Sequence, residues 1–493
     1  MLYRNIIANY AGRAWLMASV YLFVPIYISI LGSESYALIA FYTILLTFAS
    51  LADVGLSSTF SRQAASTRDR RALVDMFSTM EMILLTTTVS IAVVIFFLSP
   101  FIASRWLNDI HVIDRESVQT CLRLMAATIP PQIMMTFYSA GTIGLQRQVS
   151  NNLVQSIYIL IRSGFVIPIL FLYRDPILFF GWQLGTTIIF SMIFRGLFFR
   201  AIGHSPFTMG RYDFVSIRPA LSFAGSMMLI SIISTVNTQI DKLVVSGLFS
   251  VSDFGYYAAA STLSQLPVAL AMPIAVAFYP RLTELLAKRE LAPARQLYNY
   301  FSALTSVTVA VLAGGLMVLA PEILALWMPG QPLPPAMPDV VRLLALGSLF
   351  YGLQIVPYYL SLARGESRII LGLAVTAMLL TAPFSYICVR YLGVMGAPLP
   401  WIVLNLANFA TIAFVVNRRA WAEGRMQWFV QCIALPAALG LAPVVLGGFL
   451  AKTLSLNPIF SVALAGVMGA CALVAFFRLV LPVVARGRLA SAP

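Results

Sequence analysis

Apolar runs of about twenty residues recur along this chain from Ala14 to Val484, separated by short polar gaps. Such a run matches the hydrocarbon core of a bilayer, about 30 Å thick, at a helical rise of about 1.5 Å per residue. Lipid offers the backbone no hydrogen bonds, and a helix satisfies its own. The predicted fold is therefore all-α, a polytopic membrane protein. Fourteen spans are predicted, at residues 8–31, 36–60, 77–104, 117–141, 150–173, 176–200, 217–248, 253–278, 297–327, 339–362, 367–391, 396–417, 427–450 and 456–484. Charged residues make up 10% of the 493, against about 25% in a soluble domain. A single-span receptor and a secreted enzyme are excluded. No cleavable signal peptide is expected, because the first span carries Asn9 and Arg13 early.

The net charge of +14 would suggest nucleic acid in a soluble protein. Here the basic residues gather in alternate gaps, 22 of the 32 on the side shared by the N-terminus, five on the other side and five within spans. That is the positive-inside pattern, and it puts both termini in the cytoplasm with no nucleic-acid partner expected. The sparse side holds Arg105, Arg115, Arg174, Arg390 and Lys452. Cys121, Cys388, Cys432 and Cys471 sit singly in apolar stretches without CxxC spacing, and with only two histidines no metal site is expected. The gaps, the longest outer ones near 105–116 and 328–338, leave no room for a catalytic domain, and no Walker motif is present. No enzyme activity and no cofactor are expected.

The two halves share landmarks at a nearly constant offset. Tyr36 maps to Tyr256, Arg62 to Arg281, Trp106 to Trp327, Arg123 to Arg342, Gly144 to Gly365 and Arg147 to Arg368, at spacings of 219 to 221. Six spans per half is an even number, so the repeats run parallel about a central cavity. The expected domains are a six-helix lobe over 1–205, a second over 206–420 and an added helix pair over 421–493.

Charge inside a span is informative, since an arginine at the bilayer centre costs about 2.5–3.5 kcal/mol on insertion scales. Asn151, Gln155, Tyr158 and Arg162 recur on one helical face, and Ser231, Thr235, Thr238 and Lys242 repeat that spacing. Two stripes ending in a cation read either as the wall of a hydrated positive chamber or as interhelical ion pairs. Arg123 and Arg342 either guard such a chamber or snorkel to the outer interface. Asp53 and Asp241 are acids within spans, with Glu81 near the start of the third. Either aspartate can pair with a basic residue or bind a coupling H+ or Na+. Asp241 with Asn237 one turn before it offers oxygen ligands suited to a hard cation, and a structural salt bridge is the competing reading. Asp241 and Lys242, about 100° apart on a helix, need not pair with each other.

The opening of the chain, Asn9-Tyr10 with Arg13, Leu31-Gly32 before Tyr36, Asp53-x-Gly55-Leu56 and Arg62, resembles bacterial polysaccharide-lipid flippases of the O-antigen type. The second half looks alike in Asn237-x-x-x-Asp241, Gly255-Tyr256-Tyr257-Ala258 and Tyr279-Pro280-Arg281-Leu282. These flippases belong to the multidrug/oligosaccharidyl-lipid/polysaccharide exporter superfamily. The resemblance implies transfer of an undecaprenyl-diphosphate-linked oligosaccharide across the inner membrane by alternating access, coupled to H+ or Na+. It implies a lipid-linked oligosaccharide and membrane lipids as partners, with polymerase and chain-length components of the same pathway. Arg162, Lys242, Arg123 and Arg13 would then meet the diphosphate, and the polar faces the sugar. A lipid II-type flippase, a multidrug cation exporter and a non-transporting scaffold of polymer assembly are the alternatives.

Overall fold

The computed structural model describes residues 2–482 other than 54, 68, 108, 366, 422 and 423; the side chains of 2–14, 16, 215–230, 367–370, 425, 479 and 480 lie outside that description. By contact the chain falls into two compact units, residues 1–239 with 246–255 and residues 240–245 with 256–493.

The first unit begins with α1 (Leu2–Ala49), α2 (Leu56–Ser66), α3 (Arg70–Phe101) and α4 (Arg115–Gly144). It continues through α5 (Gln148–Ile159), α6 (Val166–Tyr173) and α7 (Pro176–Ile202) into α8 (Phe214–Leu248). Short polar residues start these helices. Asp69, Asp114 and Asp175 each accept a backbone N–H from the first turn of the helix that follows, at 2.8, 2.8 and 2.7 Å. Ser117's hydrogen bonds hold the Asp114 carboxyl below its ordinary range. Within α1 the backbone leaves the helix at Gly32, where φ is 83°, a conformation that glycine adopts without steric penalty. At the centre, Phe60, Phe77, Phe137, Phe198 and Phe199 form one buried cluster from α2, α3, α4 and α7. Phe77 and Phe198 stack at 4.8 Å.

The second unit contains α9 (Val251–Ser264), shared with the first at its start, and then α10 (Leu266–Ala287), α11 (Leu291–Val318), α12 (Ala320–Trp327) and α13 (Met337–Ala363). It ends with α14 (Ser367–Leu392), α15 (Pro398–Ala420), α16 (Arg425–Trp428), α17 (Leu435–Thr453) and α18 (Pro458–Ala475). The last pair packs on α11 and α12, with Val444 and Ala465 meeting Leu319 in a small apolar cluster.

Eleven helical segments among the described residues are long and apolar enough to cross a membrane, against fourteen expected from the sequence. Three predicted spans account for the difference. Those at 8–31 and 36–60 join in the kinked α1, and the chain is interrupted again at Ser50–Asp53 before α2. The span at 217–248 falls largely among residues whose side chains are not described. The span at 117–141 is present as α4, but Pro130, Pro131 and Gln132 dilute its hydropathy. It packs against α1, α2, α3, α5 and α7, and a helix enclosed by protein has less need of a lipid-facing surface.

Candidate functional site

Sequence placed five basic residues inside spans, and the structure separates them by how their charge is met. Lys242 Nζ stands 3.9 Å from the Asp241 carboxylate, whose other oxygen accepts the Tyr257 hydroxyl at 2.7 Å. These neighbours were not expected to need each other. Arg342 pairs with Asp339 at 2.6 Å and donates from Nε to the Met317 carbonyl at 3.2 Å. Arg478 is exposed near the end of the last helix. Arg162 and Arg123 have no carboxylate at ion-pair distance among the described residues.

Arg162 is held by neutral groups. After α5 the chain widens into a π-helical turn over Leu160–Gly164, in which the Phe165 N–H reaches back five residues to the Leu160 carbonyl. Three successive carbonyls of this turn receive side-chain donors. The Trp182 indole donates to Ile161 at 3.0 Å, the Gln183 amide to Arg162 at 3.2 Å and the Tyr27 hydroxyl to Ser163 at 2.7 Å. Arg162 Nε in turn donates to the Gln183 side-chain oxygen. Its guanidinium carbon lies over the rings of Tyr158 and Tyr42, at 5.6 and 5.9 Å. Aromatic faces and an amide steady a cation without neutralising it. Such single turns inside α-helices recur at functional sites.

The polar stripe leading to Arg162 does not stay on one surface. Asn151 accepts from Ser139 at 2.8 Å and is buried. Tyr158, 1% exposed, donates to Gln132 at 2.8 Å and lies 3.0 Å from the Thr187 hydroxyl. Both tie α5 to its neighbours inside the unit, while Gln155 and Arg162 stay half-exposed. The wide turn ends the regular helical register just before Arg162.

The other predicted residues fall as follows. Asp53 forms no ion pair among the described residues; its carboxylate accepts the Ser57 N–H at 2.9 Å and the Ser57 hydroxyl at 2.7 Å, capping α2 after Gly55 turns the chain at φ 76°. The salt-bridge reading for Asp53 is therefore replaced by a cap. Thr238 donates to the Thr235 carbonyl at 3.1 Å, a bond local to α8. Asn237 is half-buried on the same helix. The Arg13 side chain lies outside the described residues.

The sequence reading missed a charged cluster. Arg195 grips Glu81 with two parallel bonds, Nε at 2.8 Å and Nη2 at 3.2 Å, and Tyr138 donates to the same carboxylate at 2.5 Å. The guanidinium lies over Phe199 at 4.8 Å and Phe77 at 5.6 Å. Arg195 lies near the end of the predicted span at 176–200 and stands seven residues before the end of α7. Opposite charges on α3 and α7, each two to three turns from its helix end, were the available signal.

A family described as polysaccharide biosynthesis protein matches residues 2–286 of this chain. A Shigella flexneri protein named as an O-antigen transporter is 21% identical over 413 residues, covering 79% of this chain and 91% of that protein. The fold is similar to the lipid II flippase MurJ in an inward closed conformation, with a TM-score of 0.69, 15% identity and coverage of 96% of this chain and 98% of that one. It is also similar to an inward-facing multidrug resistance MATE family transporter of the MOP superfamily, with a TM-score of 0.65, 15% identity and coverage of 82% and 95%. At these identities the structural likeness is one of fold.

Proposed function

Because this chain belongs to the polysaccharide biosynthesis protein family, we propose that it is an inner-membrane flippase carrying an undecaprenyl-diphosphate-linked oligosaccharide from the cytoplasmic to the periplasmic leaflet by alternating access. The observation that carries this reading is Arg162, an intramembrane guanidinium stacked on Tyr158 and Tyr42 with no carboxylate at ion-pair distance among the described residues. A charge that costs about 2.5–3.5 kcal/mol to insert has no structural anion to repay it. A diphosphate supplies that anion, and a planar guanidinium meets phosphate oxygens with two parallel hydrogen bonds. Lys242, half-exposed beside Asp241, is the second cation of this reading. Coupling to H+ or Na+ would run through Asp241, between Lys242 and the Tyr257 hydroxyl, or through Asp53, which among the described residues meets only the neutral donors of Ser57. The arginine-rich gaps face the cytoplasm in this reading, with both termini.

The test is translocation of a fluorescent undecaprenyl-diphosphate oligosaccharide in proteoliposomes. Transfer by the intact chain and its loss in Arg162→Glu, with the variant fully inserted, are the expected results. Absence of transfer beside robust transfer of an organic cation would replace this reading with a multidrug exporter, for which a wall of acids suits the cargo better than Arg162 does.

A further inference from the structure

Arg123, like Arg162 and the exposed Arg478, has no carboxylate at ion-pair distance among the described residues. It stands over the Phe96 ring at 5.0 Å, and its buried Nε makes no hydrogen bond among the described residues. Arg123 lines a cavity of about 560 Å3 with Ser104, Arg115, Glu116, Gln119 and Thr120, between the end of α3 and the start of α4. Positions 115, 119 and 123 recur every fourth residue and so share one face of α4. Eight residues of helix rise about 12 Å, so Arg115 marks the mouth and Arg123 the inner end.

The cavity lies on the arginine-poor side of the protein. That side has five basic residues in its gaps, and two of them, Arg105 and Arg115, fall at this helix pair, with Arg123 as a third cation just inside. Clustering cations where the positive-inside pattern depletes them is unneeded for topology and points to a local anion. Below the cavity the outer face of α3 is bare and apolar. Val93, Phe97 and Phe101, spaced by four, are 48%, 75% and 58% exposed, and Ser104 continues that face into the cavity wall. A greasy track leading to paired guanidiniums has the polarity of a phospholipid laid along a helix.

We propose that this cavity binds the phosphate diester of an anionic phospholipid from the leaflet on the arginine-poor side. Arg123 holds the phosphate from below and Arg115 from the water edge. Gln119 offers a further amide donor, whereas the Thr120 hydroxyl is already given to the Glu116 carbonyl at 2.9 Å. Glu116 on the same rim accepts a hydrogen bond from a headgroup hydroxyl, which favours a glycerol headgroup over a bare phosphate.

The full chain in nanodiscs tests this, carrying Ser104→Cys as a reporter and Cys471→Ser to silence the exposed native thiol. The rate of reaction with an uncharged maleimide reads occupancy. Discs containing phosphatidylglycerol should slow labelling about five-fold relative to phosphatidylcholine discs, equivalent to about 1 kcal/mol of protection. Arg123→Gln should abolish the slowing. Arg115→Gln, at an exposed position, should roughly halve it and keeps the test decisive if Arg123→Gln inserts poorly. Millimolar inorganic phosphate on phosphatidylcholine discs should leave the rate unchanged. Slowing by phosphate equal to that by the lipid would assign the site to a free anion and overturn the lipid. Equal rates in both kinds of disc, or slowing that survives Arg123→Gln, would overturn the site.

Discussion

Positions related by the 221-residue offset hold different chemistry in the two halves. Glu81 and Arg195 form a doubly bonded ion pair in the first unit, and their counterparts in the second are Ser302 and Val416. Arg162 sits in a π-helical turn, and its counterpart is Pro383 inside the continuous α14. The buried polar pair of the second unit is neutral, Gln354 donating to Asn405 at 2.8 Å and Asn405 to the Trp401 carbonyl at 2.8 Å. Even the ties to the loops at 111–113 and 328–332 differ. The buried Glu34 carboxylate accepts three backbone N–H groups of 111–113 at 2.9 to 3.3 Å, whereas Tyr256 gives one bond to the Pro332 carbonyl at 3.1 Å. The second unit meets its charges within or beside one helix, Lys242 with Asp241 and Arg342 with Asp339, and lays Arg295 over Trp421 at 6.0 Å. An ion pair joining helices 114 residues apart and an arginine with no carboxylate partner among the described residues, kept at a cost in the first unit, are better explained by what that half must bind or hold rigid than by folding.

The sharpest way to break this contrast is at Arg162. Arg162→Glu should reduce translocation at least about a hundred-fold at unchanged abundance, because loss of transition-state binding of about 2.7 kcal/mol suffices for that factor. Arg162→Lys should retain partial activity, while Arg342→Gln in the second half should change transport less than two-fold, within the range of about 0–1 kcal/mol of a part-exposed pair. Normal transport by Arg162→Glu would remove the guanidinium from the substrate path.

Next in size is the ion pair. Glu81→Gln strands Arg195 in a mostly buried site and should destabilise the first unit by about 3–5 kcal/mol. Detergent-solubilised protein should show it as a lower thermal midpoint, and adding Arg195→Met should recover much of the loss. A midpoint indifferent to Glu81→Gln would mean that the pair is solvated.

Smaller again is the loop tie. Glu34→Gln weakens a charge-assisted acceptor of three N–H groups and should cost about 1–3 kcal/mol, against about 0.5–1.5 kcal/mol for Tyr256→Phe. Hydrogen exchange at residues 111–113 and at 328–332 reads the two separately, and equal protection losses would erase the difference between the halves.

The smallest effect concerns two tryptophans at an offset of 219. Trp182 bonds the π-helical turn, and Trp401 buries its indole N–H with no acceptor among the described residues. Trp182→Phe should cost about 1 kcal/mol, and Trp401→Phe should be neutral or stabilising, as expected when an unsatisfied donor is removed. A larger loss at Trp401 would show that its N–H has found a partner.

Hydropathy alone was enough to recognise an all-helical membrane chain, because lipid makes the same demand on every span and the answer is written locally in twenty-residue runs. It placed even the protein-enclosed α4, and it failed where two runs join through a kink at Gly32. Arg162 was legible as a candidate from the cost of placing arginine in a span, and Asp241 likewise. What each charge meets was not legible. Asp53 turned inward to cap α2, Glu81 found Arg195 114 residues away, and Tyr158 left the presumed chamber face for Gln132 and Thr187. Those outcomes depend on which helices lie side by side and on a wide turn that shifts register by a fraction of a residue. Sequence alone therefore determined that this chain crosses a membrane and which charges are expensive there. Only the packing of helices decided which of those charges are neutralised within the protein, because an ion pair forms between neighbours in space and the period of one helix carries no record of the next.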